Sequence, residues 1–155
     1  MMLQLNQDTV FINLQAQDCL SAINKLAKSL FEQGFVTAEY GAMTCRREEI
    51  HPTGLPTSPI CIAFPHADCE GVLQSALAVG ILEQPVKFRN MADPDEQLDV
   101  HIVIMMANSN PTEQIDTLRN LAELFGEGEK LVELQYQPDS EAAVNWLKRE
   151  LRLDI

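Results

Sequence analysis

The segment Leu98–Ala107 limits the folds open to this chain more than any other. Only Asp99 and His101 interrupt its apolar residues. A strand with one wet face alternates apolar and polar positions, so a nearly continuous apolar run reads as a central strand covered on both sides. Such a strand needs a layer packed above and below its sheet, and the flanking sequence has helices to supply them. Asp18 is a good N-cap for a helix with Leu20, Ile23, Leu26, Ala27, Leu30 and Phe31 on one face, closed by Gly34. Thr37 is placed to cap a second helix reaching about Glu49. That helix has Glu39 in its first turn and Arg46 and Arg47 in its last, the end that favours cations. Asn110 and Pro111 read as N-cap and first residue of a third helix carrying Ile115, Leu118, Leu121, Ala122 and Phe125, closed by Gly126. Two further helices are expected near Glu127–Gln135 and Glu141–Leu151, separated and capped by Pro138-Asp139-Ser140. Additional strands are expected at Val10-Phe11-Ile12, Ile60–Phe64 and Ala76–Leu82, with a polar loop over Asn90–Gln97. Helices at both ends of a run of strands imply a layered α/β domain. The pattern does not disclose strand order.

The 155 residues suit one domain, 1–155, with a sizeable core, and no repeat, low-complexity tract or Gly/Ser linker divides them. Aromatic residues are only 6% against 46% hydrophobic, so that core should be aliphatic. The net charge of −12 argues against a nucleic-acid backbone or an anionic membrane surface as partner, and is compatible with a basic protein. No apolar run approaches a membrane span, and the N-terminus lacks the basic start and apolar block of a signal peptide. The expected compartment is the cytoplasm. There Cys19, Cys45, Cys61 and Cys69 read as reduced thiols.

Chemistry is most legible at Ile60–Ala67. A short apolar run stops at Pro65, which has no N–H for a sheet, and leaves His66 at the strand end. Ligands gather at strand ends in α/β sheets. A histidine nucleophile needs a neutral imidazole with one nitrogen free and the other held by an acceptor, and a strand-end loop has backbone carbonyls to offer. Which nitrogen attacks is open at this point. Upstream lie Arg46 and Arg47, whose planar forks suit the charge of a phosphoryl group in transfer. Between them and the strand come Thr53-Gly54 and Thr57-Ser58, which read either as phosphate donors or simply as turns. No G-x-x-x-x-G-K loop occurs, so direct use of ATP is not supported. A rival constellation is metal: His66, Asp68, Cys69 and Glu70 crowd one loop, yet no C-x-x-C or H-x-x-x-H pair accompanies them. Cys69 lacks an evident orienting partner for a thiol nucleophile. His101 reads as a satisfied histidine at a strand end.

Taken together, Arg47-Glu48-Glu49-Ile50-His51-Pro52-Thr53-Gly54 followed by Ile62-Ala63-Phe64-Pro65-His66-Ala67 resembles the active-site signature of enzyme IIA components of the bacterial phosphoenolpyruvate-dependent sugar phosphotransferase system, of the fructose/mannitol type. The resemblance runs from the first helix to the last. It implies a three-layer α/β/α sandwich with a mixed central sheet. It also implies that His66 takes a phosphoryl group from the histidine phosphocarrier protein and gives it to a cysteine of a sugar-specific IIB component. By the match, Arg47 is the active-site arginine and Thr53 lies in the turn beside the histidine. No metal or organic cofactor is implied. Mannitol-type members carry a second histidine where this chain has Gln114, a residue that can hydrogen-bond a phosphate or imidazole but cannot take up a proton. Asn110-Pro111 with Gln114, Leu118 and Arg119 is more similar to galactitol-type members. A nitrogen-type regulatory IIA, signalling through the phosphorylation state of His66 without moving sugar, is the alternative within the resemblance. Outside it stands a metal-dependent hydrolase built on the His66–Glu70 loop.

Overall fold

The computed structural model describes residues 2–153. The apolar run forms β5 (Gln97–Ala107), whose residues from Ile102 to Ala107 are all buried. It lies mid-sheet, antiparallel to β4 (Ala76–Arg89) and parallel to β3 (Cys61–Ala63). β1 (Val10–Leu14) runs parallel to β4, and β2 (Gly54–Leu55) antiparallel to β3, giving a mixed sheet of order β1-β4-β5-β3-β2.

Side-chain alternation sends the strands' apolar residues into two cores. Ala76, Ala78 and Leu82 of β4 meet Ala22, Ile23, Leu26 and Leu30 of α1 (Cys19–Glu32). Leu77, Val79 and Ile81 point the other way. There they meet Leu121 and Leu124 of α3 (Ile115–Phe125), Leu131 and Leu134 of α4 (Gly128–Gln135), and Trp146 and Leu147 of α5 (Ser140–Glu150). The result is a three-layer α/β/α sandwich. Each aliphatic side chain fully buried this way contributes about 1.5–3 kcal/mol.

Several local expectations hold. The Asp18 carboxylate accepts from Ser21 N–H at 2.8 Å, and Asp139 accepts from Ala142 N–H at 2.8 Å. Gly34 closes α1 at φ +80°, where the Phe35 and Gly34 N–H groups donate to the Leu30 and Phe31 carbonyls, each at 2.9 Å.

Others give way to tertiary contacts. Thr37 does not cap α2 (Tyr40–Ile50), which starts three residues later with no side-chain cap. Its N–H instead donates to the Gly71 carbonyl at 2.9 Å, as Val36 pairs with Val72. Asn110-Pro111 does not open α3 either. Asn110 closes a local turn by accepting from Thr112 N–H at 3.0 Å, and the helix begins after Gln114, a left-handed residue at φ +61°. β4 extends well past Leu82 to Arg89, its register with β5 shifting between Ile81 and Val86 where Pro85 has no donor to give.

His101 marks a bulge in β5. Cys61 and Ile62 of β3 are adjacent, yet they pair with Val100 and Ile102, so His101 is the extra residue. Leu98 and Val100 therefore face the α1 core while Ile102 and Ile104 face the other. The expectation of a satisfied histidine is corrected: His101 Nδ1 is buried without a hydrogen-bond partner among the described residues.

Candidate active site

β3 ends at Ala63, and the chain leaves the sheet through Phe64-Pro65 to deliver His66 into a cleft of about 500 Å³. Phe64, Met106, Asn108, Pro111 and Leu118 line the cleft with it, and Asp68 and Glu70 make part of its rim acidic. His66 is half-buried. Its Nδ1 lies 2.9 Å from the Phe64 carbonyl oxygen. A carbonyl only accepts, so Nδ1 carries the proton and Nε2 keeps the lone pair. Burial holds the imidazole below its ordinary 6.5, and the Arg47 charge pushes the same way against the Phe64 carbonyl and Asp68. The ring is therefore neutral at pH 7, as a nucleophile requires. Phe64 packs against the imidazole at 5.6 Å between centroids, and edge-on against Phe125 of α3 at 5.4 Å.

Arg47 stands on the last turn of α2. With Met43, Ala67 and Asp68 it lines a hollow of about 210 Å³ that shares Ala67 and Asp68 with the His66 cleft. Its Nε is buried with no hydrogen-bond partner among the described residues. Arg46, one residue earlier, is exposed at the far rim of the same hollow. The structure thus sets His66 and Arg47 in adjoining hollows that share Ala67 and Asp68.

Thr53 and Gln114 stand elsewhere. Thr53 is buried, and both its donors go to Glu48: N–H to Oε2 at 2.8 Å and Oγ1–H to Oε1 at 2.7 Å. Its hydroxyl is committed within the protein and does not face the cleft. Gln114 borders a neighbouring cleft with Met2, Leu3, Thr117 and Leu153, and accepts from Thr117 Oγ1 at 3.3 Å. Gly54, next to Thr53, has a steric reason of its own. A Cβ there would stand 2.5 Å from the Arg89 carbonyl oxygen. Thr57 Oγ1 donates to the Ile60 carbonyl, closing a turn. Cys69 lines the His66 cleft, while burial pushes the Cys19, Cys45 and Cys61 thiols up. Among the described residues no three His, Cys, Asp or Glu side chains converge as a metal-ligand set, so the His66–Glu70 loop does not form one.

Three supporting residues escaped the sequence reading. Tyr40 is fully buried, and its hydroxyl accepts from Ala67 N–H and donates to the Met106 carbonyl, each at 3.3 Å. It ties the residue after His66 to the end of β5, and burial pushes its pKa up to about 12. Glu48 reads as surface charge beside Arg47 but is 5% exposed. Burial raises its pKa above 4.5, opposed by the two Thr53 bonds and the charges of Arg89 and Arg47. Ser75, fully buried, donates to Asn108 Oδ1 at 3.2 Å and accepts from Ser109 N–H at 3.0 Å, fixing the opposite wall. Nothing in the local pattern of these residues distinguishes them. The roles of Tyr40 and Ser75 come from contacts 27 to 66 positions away in sequence, and that of Glu48 from Thr53, five positions on.

Comparisons with known proteins bear on the family and the fold. The family model described as "Phosphoenolpyruvate-dependent sugar phosphotransferase system, EIIA 2" matches residues 3–150. The chain is 33% identical over 81 residues to the transcriptional regulator ManR of Bacillus subtilis, covering 52% of this chain but only 12% of ManR. It is 28% identical over 105 residues to the galactitol-specific EIIA component of Escherichia coli K12, covering 67% of this chain and 69% of that one. Enzyme IIA of the E. coli IIAMtl complex with phosphorylated IIBMtl superposes with a TM-score of 0.75 at 22% identity, over 97% of this chain and 99% of that one. The nitrogen regulatory protein IIA-Ntr of Neisseria meningitidis does so with 0.73 at 21% identity, over 92% and 94%. At those identities the two structures bear on the fold alone. The match over residues 3–150 bears on descent: the chain belongs to the type-2 EIIA family of the phosphoenolpyruvate-dependent sugar phosphotransferase system, phosphotransferases that work through a phosphohistidine.

Proposed function

We propose that His66 is the phosphoryl carrier of this chain. It accepts the group from the phosphorylated histidine phosphocarrier protein and passes it to a cysteine of a sugar-specific IIB component. The observation that carries this reading is the 2.9 Å contact between His66 Nδ1 and the Phe64 carbonyl, which leaves Nε2 as the nucleophilic nitrogen. In the first transfer the donor's P–N bond breaks as the P–Nε2 bond forms in line. In the second, P–Nε2 breaks as a P–S bond forms on the IIB cysteine. While phosphorylated on Nε2 and protonated on Nδ1 the ring is cationic, and the Phe64 carbonyl stabilises that charge. Arg47 balances the phosphoryl oxygens through both steps. Thr53 supports the site through Glu48, while Gln114 borders the neighbouring cleft.

Residues 1–155 act as one EIIA module without an organic cofactor or metal. Its charge of −12 suits a basic protein partner and disfavours nucleic acid. No helix among the described residues is long and apolar enough to cross a membrane, which suits a cytoplasmic carrier. Gln114, where mannitol-type members have histidine, favours a galactitol-type IIB as acceptor. The test is intact-mass spectrometry after incubation with phosphoenolpyruvate, enzyme I and the phosphocarrier protein. One acid-labile phosphoryl group is expected on wild type and none on His66→Gln; a phosphorylated His66→Gln would end the assignment. Chasing the labelled protein with galactitol- and mannitol-type IIB domains then identifies the acceptor.

A regulatory role, with His66 phosphorylation setting the binding of another protein, is favoured by one observation: the 33% identity to a segment of a transcriptional regulator. Failure of every IIB domain to discharge phosphorylated His66 would favour it.

A further inference from the structure

A hydrogen-bond series of three links, the first of them double, runs from the end of α2 to the His66 ring. The Glu48 carboxylate accepts from Thr53 N–H and Thr53 Oγ1–H, at 2.8 and 2.7 Å. The Thr53 carbonyl accepts from Phe64 N–H at 3.2 Å. The Phe64 carbonyl accepts from His66 Nδ1–H at 2.9 Å. Arg89 at the end of β4 secures the origin of the series by donating to the Glu48 and Glu49 carbonyls, the last turn of α2.

We propose that Glu48 is a positioning residue for phosphoryl transfer, acting through Thr53 and the Phe64 peptide to hold His66 with its proton on Nδ1 and Nε2 free. The inference rests on His66 being the phosphoryl carrier. A buried carboxylate is costly unless its oxygens are paired, and here each oxygen has a Thr53 donor. Losing one of those bonds releases the turn that carries the Thr53 carbonyl, and with it the Phe64 peptide that holds the imidazole. Glu48 also abuts Arg47 in sequence. One buried anion therefore sets both the register of the helix bearing the cation and the tautomer of the nucleophile. This also gives the Pro52-Thr53-Gly54 turn a physical reading: Thr53 supplies the two donors, and Gly54 lets the chain pass against the Arg89 carbonyl.

The test compares wild type, Glu48→Gln and Thr53→Val, with Thr53→Ser as the conservative variant that keeps both donors. Two readouts are taken: the single-turnover rate of phosphorylation by the phosphocarrier protein, and the His66 tautomer from imidazole nitrogen shifts, assigned by difference from His66→Gln. Glu48→Gln and Thr53→Val are expected to lose rate by roughly ten- to a hundredfold, the range seen when residues that orient an active ligand are removed. Both should lose the single Nδ1–H tautomer, while Thr53→Ser falls least. A rate within twofold of wild type, or a reduced rate with the tautomer unchanged, overturns the proposal. Thr53→Val is nearly isosteric and takes the place of Glu48→Gln if that variant does not fold. If wild type takes no phosphoryl group, the carrier reading fails. The tautomer comparison needs no phosphorylation, and an unchanged tautomer in Thr53→Val still refutes the hydrogen-bond series.

Discussion

One wall of the His66 cleft, at Ala67 and Met106, is backed by Tyr40, whose hydroxyl bonds both, with Arg47 in the adjoining hollow and Glu48 buried behind it against Thr53. The other is made by Asn108, Pro111 and Leu118, on a loop that turns through a left-handed Gln114 and leaves Leu118 36% and Ile115 54% exposed. The first wall is held by buried hydrogen bonds, each costly to leave half-made. The second is anchored at its root by Ser75 and Asn108 and presents apolar atoms to solvent. Chemistry that depends on angstrom placement belongs to the first wall. Recognition of partners that differ in shape suits the second.

The comparison breaks most visibly at Arg47. Arg47→Ala should lower the single-turnover phosphorylation rate by about 10²- to 10³-fold, the scale of removing one donor to a developing anion. A rate within threefold of wild type would remove Arg47 from the chemistry. Tyr40→Phe should cost about 1–3 kcal/mol in chemical denaturation, because the Ala67 N–H and the Met106 carbonyl lose their shared partner in the interior. No change there would mean that the first wall is not strutted as described.

Acid sharpens the same contrast. His66 titrates below 6.5, so the phosphorylation rate should hold steady from pH 8 to about 6.5 and decline only at lower pH as the ring protonates. The unfolded chain, at the ordinary value, takes up this proton first as pH falls, so the contribution of His66 to stability is present above 6.5 and lost below it. A rate that already declines between pH 8 and 7 would contradict the neutral, half-buried ring. On the second wall, Leu118→Ala should leave stability within roughly 1 kcal/mol, since the side chain is already partly in water. It should raise KM for the protein partner while single-turnover chemistry at saturation stays near wild type; a lowered kcat with unchanged KM would place Leu118 with the chemistry instead. The smallest effect is expected at Gln114. Gln114→Ala should change the transfer rate less than threefold, because the side chain borders a different cleft; a larger loss would bring it into phosphate binding.

Much of this was legible in the residues. Leu98–Ala107 called for a sheet covered on both faces, and β5 lies between two cores. The strand that stops at Pro65 put His66 at a sheet edge, and Arg47 at the cationic end of α2 faces the same region. Where the reading erred, another hydrogen bond, distant in one case and local in the other, stood in place of the expected helix cap. Thr37 gave up a cap to bond Gly71, and Asn110 closed its own turn in place of a helix. His101 was displaced from a regular strand by a bulge that neither neighbouring strand announces in its sequence.

The chain by itself determined the layer architecture and the pair of groups available for phosphoryl chemistry. Apolar periodicity and strand-breaking proline act locally and are printed in the order of residues. The tertiary structure alone decided which imidazole nitrogen is free, that Glu48 is buried and Tyr40 spans the core, and that Thr53 serves a carboxylate within the protein. Those outcomes turn on which donor meets which acceptor once water is excluded: His66 and Thr53 find theirs two and five residues away and Tyr40 at Ala67 and Met106, and each pairing depends on how the surrounding chain is packed.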